Sequence, residues 1–160
     1  MPRIHLICVG KLKESFYRDA VAEYSKRLAG YCRLALTELS EERLPQSPSQ
    51  AQIDGALAKE AEAIRGKIPP NSSVVALCVE GRMRSSEELA RLMNTWNYNS
   101  AKHLVFVIGG SYGLHPSIKA EAWDRLSMSP MTFPHHLARV MLLEQVYRAF
   151  KINEGSQYHK

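Results

Sequence analysis

With 160 residues, 45% of them hydrophobic, the chain is long enough to bury about 70% of its unfolded surface in one compact domain without a disulfide or metal staple. Its three cysteines, Cys8, Cys32 and Cys78, are dispersed and show no Cys-x-x-Cys spacing, which argues against a disulfide framework or a zinc site and points to a reducing, cytoplasmic setting. A net charge of +5 permits phosphate-rich partners without requiring them, and no apolar run is long enough for a signal peptide core or a membrane span.

Ile4 to Val9 predicts a first strand, and Tyr17, Val21, Tyr24 and Leu28 then recur at helical spacing before Gly30. Leu34 to Leu39 predicts a second strand. Ser40 to Gln52 is polar, carries Pro45 and Pro48, and predicts an exposed loop, after which Ile53, Leu57 and Ile64 mark a helix. The run Val74 to Gly81 reads as a strand ending in a turn. Ser85 and Glu88 are spaced as a capping box for a helix whose buried face is Leu89, Leu92, Met93 and Trp96. Leu104 to Ile108 is another apolar strand, followed by a short helix after Pro116, a short strand near Leu126 and a long helix from Pro134 to about Asn153. Alternation of this kind predicts one doubly wound α/β domain over residues 1–160, with a mostly parallel sheet and helices on both faces. The last helix is apolar over about half its circumference, at Val140, Leu142, Leu143, Val146, Tyr147, Ala149 and Phe150, wider than the stripe of about 100° usual for a surface helix. Two readings are open, a deeply buried core helix and a two-fold homodimer interface.

Open α/β sheets bind ligands beyond the carboxyl ends of their strands. Three segments here end in that manner: Leu77 in the run to Gly81, Ile108 before Gly109-Gly110-Ser111-Tyr112-Gly113, and Leu126-Ser127-Met128-Ser129-Pro130-Met131. They predict one pocket, in which Leu77, Leu126, Met128 and Met131 offer apolar surface beside backbone hydrogen-bonding groups, as an adenine ring requires. The glycine spacing matches neither the dinucleotide fingerprint nor a phosphate loop. It does satisfy Gly-x-Ser-x-Gly at Ser111, with Asp124 and later histidines in hydrolase order. A nucleophile elbow enters its helix directly, however, whereas Tyr112 to His115 intervene before Pro116, so a ligand-binding loop is the better reading.

His135 and His136 are adjacent and diverge by about 100° on a helix, so they do not form a metal pair, and no metal is expected. Either can simply bond backbone at the helix start. Arg139 projects into the apolar arc of the last helix and requires a partner, either a structural carboxylate or a substrate phosphate or carbonyl. Glu144 and Arg148 read as an ordinary i, i+4 ion pair. The tail from Glu154 is short and polar enough to fray, yet Tyr158 can stack on a base, His159 can exchange a proton near neutral pH, and Lys160 can meet phosphate.

Several motifs together are familiar. Val9-Gly10-Lys11-Leu12-Lys13, Phe106 to Leu114, Leu126 to His135, Glu144-Gln145-Val146-Tyr147-Arg148-Ala149 and the terminal Tyr158-His159-Lys160 resemble the RlmH family along the whole chain. That resemblance implies a SPOUT-class methyltransferase with a C-terminal trefoil knot, a feature pattern reading does not expect because threaded chains are nearly excluded by default. It implies transfer of a methyl group from S-adenosylmethionine to N3 of a pseudouridine in 23S ribosomal RNA of the large subunit, on assembled ribosomes, by a homodimer. It further implies that Leu77, Gly109, Gly110, Gly113, Leu126, Ser127, Met128, Ser129, Pro130 and Met131 bind the cofactor. It also implies that the tail belongs to the active site, reaching substrate beside a cofactor held by the partner subunit. For such a reaction the chemistry makes His159 the candidate base, or solvent where a cation such as Arg139 stabilises the developing anion, so Arg139, Tyr158 and His159 are the catalytic candidates, with His135 and Lys160 as substrate contacts.

Overall fold

The computed structural model describes residues 1–97 and 101–159. Strands β1 (Arg3–Val9), β2 (Arg33–Leu39), β3 (Ser72–Met83), β4 (His103–Ile108) and β5 (Asp124–Ser127) form one sheet in the order β2-β1-β4-β3-β5, and every neighbouring pair is parallel. Helices α1 (Ser15–Leu28), α2 (Gln50–Arg65), α3 (Ser86–Asn97) and α4 (Pro116–Glu121) link successive strands, and α5 (His135–Asn153) follows β5.

The apolar runs earn their strands by being covered on both faces. Along β1, Ile4, Leu6 and Cys8 pack with α1, α3 and α5, while Ile7 and Val9 face α2 and α4. In β4 the same alternation sends Leu104, Phe106 and Ile108 to one side and Val105 and Val107 to the other. Burying every position removes the polar alternation of a half-exposed strand, which is why these segments read as continuous hydrophobic runs.

The third helix begins at the expected capping box, with the Ser85 hydroxyl accepting the Glu88 N–H at 3.1 Å and the Glu88 carboxylate accepting the Ser85 N–H at 2.7 Å. A second box lies at Ser49 and Gln52, so α2 starts inside the segment expected to be loop. Here Pro48 ends the loop and the capping pair starts the helix. Helix α5 packs between α1 and α3 through buried Leu142, Leu143, Val146 and Ala149, while Val140, Tyr147 and Phe150 are half-buried at the margin of the same cluster. That accounts for the inner part of its wide apolar arc as core.

Strand β3 runs further than its apolar residues suggest. It pairs with β5 first through Val75, Ala76 and Leu77, then again through Arg82 and Met83, both Leu77 and Arg82 standing opposite Leu126. The residues between them form an irregularity that bends β3, as bulges beside functional sites do. Gly81 passes so close that a Cβ there would lie 2.8 Å from the Leu126 carbonyl carbon.

Candidate active site

At the carboxyl ends of β3, β4 and β5 lies a cavity of about 740 Å³. Leu77 and the bulged Cys78, Val79 and Glu80 form one wall, Ile108 to Leu114 a second, and Leu126, Met128, Ser129 and Met131 to His135 a third. The three predicted strand ends therefore meet. Ser127 is buried beneath the third wall, donating from its hydroxyl to the Ser129 carbonyl at 3.2 Å, and Pro130 is exposed in the same turn; neither lines the cavity.

The glycine loop folds back on itself. Gly113 has a φ of +78°, and its N–H donates to the Gly110 carbonyl at 3.1 Å. A Cβ at Gly109 would lie 2.3 Å from the Gly113 carbonyl oxygen, so the turn exists only without a side chain there. Glu41, from the segment after β2, clasps the loop from outside: its Oε1 accepts the Ser111 N–H at 2.7 Å. Glu60 of α2 holds the neighbouring Glu42 N–H at 2.9 Å. The Ser40 to Gln52 segment thus supports the site, which sequence reading missed because a single glutamate in a polar run carries no periodic signature.

Inside the cavity, Lys119 pairs with Glu80 at 2.5 Å and holds that carboxyl below the usual range. Burial, reinforced by His136, lowers the pKa of His135, so at neutral pH its ring is an uncharged hydrogen-bonding group on the cavity wall.

Arg139 is buried to 4% side-chain exposure and lines a different cavity, with Lys11, Arg18 and Cys8. Its guanidinium donates to Glu38 at 2.5 Å and to the Gly10 carbonyl at 3.0 Å, which realises the structural-carboxylate reading, while Nε stays buried with no hydrogen-bond acceptor. Burial pushes the Glu38 carboxyl up, but the Leu12 amide and Arg139 outweigh it, leaving a net lowering. The nearby Cys8 thiol is pushed up to about 12 by burial and stays protonated. Gly10 touches a residue of each cavity: its carbonyl accepts from Arg139, and a Cβ on it would lie 3.2 Å from His135 Nε2.

The tail does not fray. The Tyr158 hydroxyl donates to Glu144 at 3.1 Å, the Arg148 guanidinium lies 4.8 Å from the centre of the Tyr158 ring, and Tyr147 meets that ring edge-on at 5.1 Å. His159 is held between Glu87 of α3, at 2.7 Å from Nε2, and Arg148, at 3.1 Å from Nδ1. None of the described tail residues lines the 740 Å³ cavity, so the structure places Tyr158 and His159 apart from that chain's own glycine loop. Lys160 falls outside the described residues. The residues that dock the tail, Glu87, Glu144 and Arg148, were missed as functional because an i, i+4 Glu–Arg pair ordinarily means only a solvated helix face. Here the pair is four-fifths buried, at 19% and 23% exposure.

Among the described residues, no hydrolase triad assembles on Ser111. Asp124 is paired with Arg84 at 2.9 Å, and His159 with Glu87. Among the described residues, no three His, Cys, Asp or Glu side chains gather as a metal site, and no helix is long and apolar enough to cross a membrane.

A parallel sheet with a glycine-loop cavity across three adjacent strand ends, one of them bulged, defines a class. A family profile described as "Predicted SPOUT methyltransferase" matches residues 2–159, and the chain belongs to the SPOUT methyltransferase family. Two solved structures share the fold: a probable methylase family protein from Haemophilus influenzae Rd KW20, 15% identical with a TM-score of 0.55 over 99% of this chain and 71% of that one, and a probable methyltransferase from Bordetella pertussis Tohama I, 16% identical with a TM-score of 0.58 over 92% and 94%. Within the family, the chain is 48% identical to Ribosomal RNA large subunit methyltransferase H of Bifidobacterium adolescentis and 45% identical to that of Streptococcus equi subsp. zooepidemicus, each over 158 residues and 99% of both chains. The likeness read from its motifs extends over the whole chain, which falls in the group bearing that name.

Proposed function

We propose that this chain, as a single domain of residues 1–160, transfers a methyl group from S-adenosylmethionine to N3 of a pseudouridine in large-subunit ribosomal RNA of assembled ribosomes, working as a cytoplasmic homodimer. The observation that carries the reading is the whole-chain identity of 45–48% to proteins named for ribosomal RNA methylation. The cavity supports it by fit. Its 740 Å³ lies in the ordinary range for small-molecule sites, Leu77, Leu126 and Met128 offer apolar faces to a purine, and the backbone of the Gly109 to Gly113 loop offers hydrogen-bonding edges. The tight passage of Gly81 against Leu126 is where the knot of this class would draw β3 and β5 together.

When bound, the cofactor supplies a methyl group on a sulfonium, which is displaced in line by the acceptor nitrogen. What the protein must add is orientation, worth several kcal/mol when reacting atoms are held at near-attack distance. The glycine loop and the Leu126 to Met131 turn would hold the donor, with Ser127 and Pro130 shaping that turn from behind. His135, neutral on the cavity wall, would bond the substrate base. Arg139, held by Glu38 and the Gly10 carbonyl, would act by its charge, stabilising an imide anion as the N3 proton leaves. Tyr158, His159 and Lys160 would complete the site beside the cofactor of the partner subunit.

The test is transfer of labelled methyl from S-adenosylmethionine to intact ribosomes lacking the modification, with free ribosomal RNA in parallel. Incorporation at N3 of a large-subunit pseudouridine in whole ribosomes is expected. Cofactor binding without incorporation would refute the substrate and leave a SPOUT enzyme acting elsewhere.

A further inference from the structure

Histidine near a reacting imide invites the role of general base, but the hydrogen-bond arithmetic at the tail opposes it. A guanidinium is a donor only, so the 3.1 Å contact from Arg148 Nη1 requires His159 Nδ1 to accept with its lone pair. A carboxylate is an acceptor, so the 2.7 Å contact to Glu87 requires Nε2 to carry the proton. Both ring nitrogens are thereby committed, and the ring is fixed in one tautomer. The clamp draws on every element packed around it. Glu87 comes from α3; Glu144 and Arg148 come from α5, where Glu144 holds Arg148 at 2.8 Å and also accepts from Tyr158. From α1, Tyr24 faces Glu144 and Arg27 faces Tyr158.

Resting on the methyltransferase reading above, we propose that Arg148 and Glu87 are positioning residues that lock His159 as its Nε2–H tautomer, so that the tail presents an oriented ring to the substrate and not a proton acceptor. Methyl transfer then proceeds with the N–C bond forming as the sulfonium S–C bond breaks, the S–C electron pair passing to sulfur and the N3 proton to solvent water. His159 takes no part in that proton movement, because accepting at Nδ1 means surrendering Arg148.

The test starts from the complete chain labelled with ¹⁵N-histidine, free of RNA and cofactor, with His159 assigned by comparison with His159→Gln. At neutral pH, two-bond ¹H–¹⁵N spectra should show one protonated nitrogen, Nε2, and one bare nitrogen, Nδ1. Arg148→Met should move both signals toward the average of a tautomer mixture, as should the surface substitution Glu87→Gln, which carries little folding risk. Protonation at Nδ1 in the wild type, or signals unmoved in both variants, would overturn the proposal, and this readout is independent of whether RNA is methylated. On ribosomes, His159→Gln should lower turnover at least tenfold while leaving the shape of the pH–rate profile as in the wild type. Loss of an acidic limb in that variant would restore His159 as the base.

Discussion

The glycine loop gives the sharpest quantitative prediction, through Gly109→Ala. The added methyl would stand 2.3 Å from the Gly113 carbonyl oxygen and 2.5 Å from its carbonyl carbon. A carbon and a carbonyl oxygen ordinarily approach no nearer than about 3.3 Å, so roughly 1 Å must be found between two pieces of backbone. Neither side yields easily. The loop is tied by the Gly113 to Gly110 hydrogen bond and by Glu41 on Ser111, while Gly109 directly follows fully paired β4. Overpacking of this kind costs about 1–3 kcal/mol, and a value near 2 lowers the Tm of a chain this size by about 4–8 °C, leaving it folded. Displacing the loop by that distance also misplaces at least one backbone hydrogen bond to the proposed cofactor, about 1 kcal/mol and hence about fivefold or more in Kd. Calorimetric titration with the product analogue S-adenosylhomocysteine, beside a thermal melt, separates the two effects. Wild-type affinity in a folded Gly109→Ala protein would show that this loop does not hold the cofactor.

Three further outcomes follow from other contacts. Glu41→Ala should weaken the same binding about two- to tenfold, since it removes a charged acceptor from the Ser111 amide without touching the cavity lining; an unchanged Kd would reduce Glu41 to a surface residue. Deleting residues 158–160 should abolish methyl transfer and leave cofactor affinity intact, and mixing that truncated chain with a cofactor-dead Gly109→Trp chain should restore turnover through hybrid dimers. Activity restored by neither partner in the mixture would place tail and cofactor in one subunit. Arg139→Met should cost about 2–3 kcal/mol by urea denaturation at pH 7, because it strips two charged hydrogen bonds from a nearly buried side chain. It should also flatten the acid limb: Glu38 is lowered in the native state, so its contribution is complete above the ordinary value of 4.5 and is lost as pH falls through the lowered one. With Glu38 39% exposed, that pH-dependent part should stay under about 1 kcal/mol, and an acid limb equally steep in both proteins would refute it.

What the sequence disclosed, and what it hid, divides along one physical line. Buried parallel strands announce themselves by losing polar alternation, so β1, β4 and the first half of β3 were legible, as was the convergence of Leu77, Gly109 and Leu126 at one end of the sheet. Local chemistry with fixed spacing was legible too: Ser85 and Glu88 made their box. The second half of β3 was not, because Arg82 and Met83 pair with β5 through backbone after an irregular stretch and carry no apolar pattern. Long-range polar contacts were equally silent. The Glu41 clasp spans 70 residues and the Glu87 contact to His159 spans 72, separations over which no spacing rule operates.

The placement of the tail bears directly on the proposed homodimer. His135 and Ala138 line the 740 Å³ cavity from the first turn of α5, whereas Glu144 and Arg148, which dock Tyr158 and His159, lie 6 to 10 residues beyond Ala138, roughly 9–15 Å further along the axis. The docking is multiple, with a carboxylate, a guanidinium that meets both Tyr158 and His159, an aromatic edge and a second carboxylate on α3, so swinging the tail back to its own cavity would break all of these contacts and leave Glu144 and Arg148 half-buried with only each other. A second chain placed across α5 needs no such rearrangement. It would meet a tail already oriented and bring its own glycine loop to it, so the proposed site closes by docking two preformed halves, and the ordering cost of the tail is met in folding rather than in catalysis.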